Sequence, residues 1–245
     1  MINDSAFLKI PIDFKNKFKI YPPSVNQIVS DSKFWTYFKV LTLSQEEIED
    51  ELADKITPGE RFPTPFELLL NNCYHSLPYR DLTQKAFKVF INEEVSFLFE
   101  KKLIVIGRLV DVLQTAKSVD DLIILTEDEF FEFQNTIRQV MGENPIEMPD
   151  PDEDPRVKRI KAKARYRDKI KAKKGLGISL ITCLASLSCM DMGLNPLNIG
   201  EMSYSAIGIL MQTYQEKEKY HIDVESLQAG ADSKKIKPKY WIRNL

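Results

Sequence analysis

The sequence predicts a mostly helical α+β protein: a mixed N-terminal domain with a small β-hairpin or sheet (residues 1–145), an acidic-then-basic connector (146–175) and a small helical domain (176–245). Three observations carry that prediction. Capping boxes followed by apolar residues at i, i+3, i+4 and i+7 recur in the first part, opening at Ser44, Thr64 and Thr126. Between Val95 and Ile106 the apolar period switches from helical to two. From Glu147 the chain runs acidic, with three prolines, then turns basic at Arg156 without a break.

Composition bounds the rest. A chain of 245 residues, 43% hydrophobic and with 14 Phe, can build a packed core, in one large or two modest domains. The net charge of −2 hides a strong asymmetry. Residues 156–174 hold eleven Lys or Arg and one acid, Asp168, so they carry +10 and the remainder −12. A polyanion would be repelled by most of the protein and attracted by one segment. Met1-Ile2-Asn3-Asp4 has no basic, then apolar, leader pattern, so no signal peptide is expected. Residues 176–190 form a 15-residue uncharged run, shorter than the ~20 residues of a membrane span, and read as a core helix. Cys73, Cys183 and Cys189 form no CxxC pair and lie on helical apolar stripes. All three are expected to be reduced and buried.

In chain order, Phe7 to Phe14 and Phe18 to Tyr21 read as short strand pieces ended by Pro22-Pro23. Ser24 caps a short helix with Val25, Ile28 and Val29. Phe34, Trp35, Phe38 and Leu41 follow at helical spacing as a core stripe. Ser44-Gln-Glu-Glu47 starts a helix with Ile48 and Leu52 on one face, ending before Pro58-Gly59. Thr64-Pro-Phe-Glu67 starts another, with Phe66, Leu69, Leu70 and Cys73 inward. A helix carrying Ala86, Phe87 and Phe90 leads into the period-two stretch, a hairpin with Gly107 closing it. Residues 122–125 suit a buried strand. Thr126-Glu-Asp-Glu129 opens a helix carrying Phe130, Phe133, Ile137 and Val140, and Gly142 ends it. After the connector, Leu180, Cys183, Leu184 and Leu187 make one helical face, Gly193 to Pro196 turn the chain, and Ser203 caps a helix packing through Ile207, Leu210, Met211 and Tyr214. A separate short helix is expected from Asp223 to Ala229, then a basic aromatic tail reaching Trp241.

No catalytic chemistry is announced. There is no GxxxxGK[ST] or GxGxxG loop, and two histidines, His75 and His221, give little for acid/base or metal work. His75 beside Cys73 lacks the further ligands a zinc site needs. The expectation is a non-enzymatic protein with no cofactor and no metal. The basic run stands above background. It has only Tyr166 interleaved, so a base-stacking platform is not visible and nucleic acid is not the expected partner.

Near the C-terminus, Gly193-Leu-Asn-Pro196, Ser203-Tyr204, residues 214–220 and Ala229-Gly-Ala-Asp-Ser-Lys-Lys235 resemble the tail assembly chaperones of bacteriophages infecting Gram-positive bacteria. Lys19-Ile-Tyr-Pro-Pro23 and the acidic-then-basic junction resemble that group too. The resemblance implies a non-enzymatic role: binding the tape measure protein, keeping it soluble and recruiting tail tube protein during tail morphogenesis in the bacterial host cytoplasm. Homo-oligomers are compatible with it. The candidate partner-binding residues are Arg156, Arg159, Lys163, Arg167, Lys171 and Lys174 on the basic run, with Tyr204, Tyr214, Tyr220 and Trp241. The alternative is a phage structural or nucleic-acid-associated protein that uses residues 156–174.

Overall fold

The computed structural model describes residues 4–52, 61–108, 122–146, 179–190, 193–232 and 235–240, together with Asp154, Arg156, Val157, Ile160, Lys163, Ala164 and Arg167. It is a mixed α+β fold, mostly helical, with one two-stranded and one three-stranded antiparallel sheet.

The first part opens with a one-turn helix α1 (Asp4–Phe7) and a hairpin of β1 (Ile12–Phe14) and β2 (Phe18–Ile20). Lys15 and Asn16 turn it in left-handed backbone geometry, and the Asn16 N–H donates to Asp13 Oδ1 at 2.7 Å. Asn tolerates that conformation better than most residues, which lets a non-glycine turn match the strand twist. The register pairs Phe14 with Phe18, so both rings leave the same face, stacked 5.1 Å apart. Next come α2 (Val25–Ser30), α3 (Phe34–Thr42), α4 (Gln45–Leu52), α5 (Pro65–His75) and α6 (Leu77–Ile91). Thr64 makes the expected reciprocal capping box with Glu67, Ser44 exchanges hydrogen bonds with Glu47 in the same way, and Ser24, expected only as a cap, makes a full box with Gln27. Asn92, left-handed at φ 58°, ends α6.

Strands β3 (Val95–Leu98), β4 (Leu103–Ile106) and β5 (Ile124–Leu125) form the second sheet in that order. Three expectations change here. The hairpin turns through a 3-10 turn, Phe99–Lys101, and left-handed Lys102, because Val95 pairs with Ile106 and Leu98 with Leu103. Gly107 therefore sits at the open end, where its N–H donates to the Glu94 carbonyl. Phe99 lies in the turn, not in the strand alternation. The strand expected over 122–125 is only Ile124–Leu125, since β4 offers it just two register partners.

Helix α7 (Glu127–Val140) closes the first part, capped at Thr126 and ended at Gly142, whose φ is +72°. Its apolar stripe drives into the centre of the core. Phe133 stacks on Phe87 at 5.4 Å and receives Phe14 and Phe18 edge-on at 5.9 Å each. Such offset and edge arrangements add to plain area burial. Buried Gln134 donates to the carbonyls of Leu41 and Leu43, both at 3.0 Å, satisfying the end of α3.

The second part consists of α8 (Leu180–Ser188), α9 (Pro196–Ile199) and α10 (Tyr204–Gln228). Here α10 runs unbroken for 25 residues, about 37 Å at 1.5 Å per residue, where a break before Asp223 was expected. The Glu- and Lys-rich stretch after Gln215 contains no breaker, so propensity carries the helix through. Leu187, Met190, Ile199 and Ile207 form a small second core, and Val25 of α2 completes it.

A backbone seam joins the two parts. Ser24 and Ser203 pair as an antiparallel bridge. The Val25 N–H donates to Met202 O at 3.0 Å, Asn26 N–H to Gly200 O at 2.9 Å and Tyr204 N–H to Pro23 O at 3.1 Å. Ser203 Oγ accepts from the Ala206 N–H and donates to the Phe7 carbonyl, capping α10 and holding α1 with one hydroxyl. A Cβ at Gly200 would meet the Asn26 side chain at 2.3–2.7 Å, so a larger residue there would displace that side chain from its hydrogen bond to Glu201.

Candidate functional site

Among the described residues, two grooves offer places that could receive a partner. The first groove, about 530 Å³, runs along α5 and the β3–β4 turn. Leu68, Tyr74 and Phe99 line its apolar part, and Glu67, Glu100 and Lys102 its rim. Tyr74 is 61% exposed and meets Phe99 at 5.3 Å; Phe99 in turn stacks on Phe97 at 5.9 Å. Arg80 lies over the Phe99 ring at 5.0 Å, a cation–π contact that adds to the aromatic row. The Glu67 carboxyl is lowered from its ordinary pKa, first because the Thr64 N–H donates to it, and also through Lys102 and Arg61. Glu67, Glu100 and Lys102 thus stand around a floor of Leu68, Tyr74 and Phe99.

The second groove, about 590 Å³, lies where α4, α5 and α7 begin. Thr64 Oγ1 donates to Glu127 Oε1 at 2.6 Å and fixes two of these starts together. Phe131, Pro65 and Ile146 line it as half-buried apolar groups, with Phe66 and Phe130 beneath, 5.3 Å apart. Glu127, Asp128 and Glu132 stand exposed on its edge. Ile146 reaches the groove because the chain doubles back after Gly142. Glu143 N–H donates to Arg138 O, Arg138 Nε to Asn144 O, and Ile146 N–H to Asn135 Oδ1 at 2.6 Å. Acids at helix starts are favoured by the helix dipoles, which is why this edge is acidic.

The sequence-derived candidates are dispersed. Arg156, Lys163 and Arg167 are helical and exposed, together with Val157, Ile160 and Ala164. Asp154 Oδ1 accepts from the Arg156 N–H at 2.8 Å. Arg159, Lys171, Lys174 and Trp241 lie outside the described residues, as do most of the acidic stretch, Pro58-Gly59 and Leu176. Tyr204 is half-buried in the seam and meets Trp35 edge-on at 5.4 Å. Burial raises its hydroxyl pKa above the ordinary value, with Cys183 and Glu143 adding to the rise. Tyr214 packs on the second core. Tyr220 meets Tyr240 of the tail at 5.5 Å. The three tyrosines span 16 residues of one helix, about 24 Å, so they do not converge on one spot.

The cysteines divide. Cys73 is buried against Thr83 Oγ1, and burial pushes its thiol up to about 11. Cys183 is half-buried and Cys189 exposed, contrary to the expectation of three buried thiols. The physical reason is that α8 ends at Ser188, which puts Cys189 beyond the packing face, beside Thr182, Ser186 and Tyr214. Among the described residues no group of three His, Cys, Asp or Glu is placed to hold a metal, and no helix is long and apolar enough to cross a membrane.

Neither groove was legible in the sequence. The three capping boxes marked the helix starts but not their convergence, and Phe99 read as a strand residue. Compared with known proteins, the chain matches no family model, no curated protein and no solved structure.

Proposed function

We propose that this is a non-enzymatic binding protein of phage tail assembly, a chaperone that covers apolar stripes of the helical tape measure protein and helps recruit tail tube protein. The observation that carries the reading is the exposed aromatic groove of Leu68, Tyr74 and Phe99. A helix with apolar residues at i, i+3, i+4 and i+7 presents a ridge that such a groove covers, which suppresses aggregation of the free helix. The charged rim of Glu67 and Lys102 would orient the helix without closing the groove. The residues resembling tail assembly chaperones supply the identity of the partner, and the bacterial host cytoplasm is the compartment that goes with it.

Co-expression with a tape measure fragment tests this. The fragment is expected in the soluble fraction with the native protein, and in the pellet with Tyr74→Ser combined with Leu68→Ser. Retained solubility with that variant would remove the groove from the reading. Failure of the native protein to solubilise the fragment would overturn the reading itself. Tight duplex DNA binding with a steep salt slope, lost when Arg156, Lys163 and Arg167 become Glu, would favour the nucleic-acid alternative.

A further inference from the structure

We infer, on the reading of the aromatic groove just proposed, that Lys102 selects the partner: the helix lying in that groove carries a carboxylate beside its apolar ridge, and Lys102 takes it. The backbone supplies the first observation. Lys102 closes the β3–β4 turn at φ 50° and ψ 53°, its N–H donating to the Phe99 carbonyl at 3.1 Å. Glycine is the usual occupant of that left-handed geometry, because a Cβ there crowds the following carbonyl. Glycine would close the same turn with less strain, yet a long cation stands there. Residues held in such geometry cluster where ligands are held.

The second observation is how the side chain is employed. Among the described residues it pairs with Glu67, its Nζ 3.3 Å from Oε1. Glu67 is already supplied. Arg61 Nη2 lies 2.8 Å from Oε1 and 2.7 Å from Oε2, and the Thr64 N–H donates to Oε2 at 3.1 Å. Lys102 is thus the most distant of these partners, and an ammonium with three donors keeps capacity for another acceptor. Lys15 makes the contrast. It is left-handed too, and closes on Glu132 at 2.6 Å. The Lys102 side chain is 65% exposed, on the lip of the groove.

The groove sets the rest of the partner. Leu68, Tyr74 and Phe99 take apolar side chains, and exposed Asn71 on the α5 wall adds a neutral amide. Glu100, exposed two residues before Lys102, is the other acid of the lining. It disfavours a carboxylate on its own side, so the partner's acid is directed to Lys102 and its place along the ridge is fixed.

Fluorescence anisotropy on the full chain tests this with three synthetic amphipathic helices of about 18 residues, long enough to hold a helix. All carry Leu at i, i+4 and i+7, and beside the leucines one has Glu, one Gln and one Lys. The native protein should bind the Glu peptide about threefold tighter than the Gln peptide at low salt, the size of one exposed ion pair. That advantage should fade as salt rises. Lys102→Gly keeps the turn, should melt at or above the native temperature, and should bind those two peptides equally. Lys102→Glu should prefer the Lys peptide. Tyr74→Ser combined with Leu68→Ser should bind none of the three. Equal native binding of the Glu and Gln peptides overturns the inference and leaves the groove standing. So does a preference for Glu that survives in Lys102→Gly. Native protein that binds no peptide, or binding unchanged in the Tyr74 and Leu68 double variant, overturns the groove and the inference together.

Discussion

The two cores of this protein are built on different scales. The first is aromatic and enclosed: Phe87, Phe90, Phe130 and Phe133 are fully buried, and α3, α5, α6 and α7 surround them. Among the described residues the second has five buried side chains, one of which, Val25, belongs to the first part of the chain. Leu184, Leu210, Met211 and Tyr214 around it are only half-buried. The second core leans on the first through Val25 and the backbone seam at 23–26 and 200–204.

The largest expected effect lies in the first core. Phe133→Ala removes a ring touched by four others, and should cost about 3–5 kcal/mol in denaturant unfolding. Both parts should lose structure together, because Val25 and the backbone seam tie the second to the first. If α8 and α10 survived while α6 and α7 melted, the contrast between the cores would be mistaken.

Val25→Ala sharpens the comparison from the other side. Its cost should be smaller, about 2 kcal/mol, and it should fall on the second core. Hydrogen exchange is the measurement. Amides of α8 and the first turns of α10 should exchange faster, with those of α6 and α7 unchanged. Equal acceleration everywhere would show one cooperative unit with no local weakness.

Acid should act first on the larger part. Glu129 is pushed up by burial, but hydrogen bonds from Lys17 and from the Thr126 N–H, together with the charges of Lys17 and Lys15, leave it below the ordinary carboxylate value. Glu67 is lowered likewise. A carboxylate with a depressed folded pKa stabilises fully above its unfolded value of about 4.3, and loses that contribution as pH falls through the folded value. Stability should therefore decline below about pH 4. Glu129→Gln should cost about 1–2 kcal/mol at neutral pH and flatten that decline. An unchanged acid profile in the variant would remove the Lys17–Glu129 pair from the account.

The smallest effect concerns no stability at all. A thiol reagent should label Cys189 at once, Cys183 more slowly and Cys73 only on unfolding. Rapid labelling of Cys73 would show that the first core opens more readily than its packing indicates.

Much of the fold was legible, for local reasons. Ser44, Thr64 and Thr126 announced their helices because a capping box is complete within four residues. The stripe Phe130, Phe133, Ile137 and Val140 announced its buried face because helical periodicity depends on nothing outside the helix. What escaped depends on distant partners. Val25 read as part of a local stripe, yet its contacts come from residues some 160 to 180 positions later. Trp35 read as core, yet it is 46% exposed and packs on Tyr204. Cys189 and the true hairpin turn were lost to the end of a helix and to strand register, neither of which periodicity sets. The two grooves are products of several elements meeting, so no single stretch of sequence carried them.

The seam also sets an order in time. The buried residues of the first core have all been made once Met141 is added, but the amides of Val25 and Asn26 find their acceptors only when Met202 and Gly200 follow. At roughly 5–20 residues per second, those sixty or so residues take about 3–12 seconds on the ribosome. For that interval the nascent protein presents a finished body with a bare valine and two unpaired donors at one edge. The ribosome thus releases a molecule whose last act of folding is to fasten its end to its beginning.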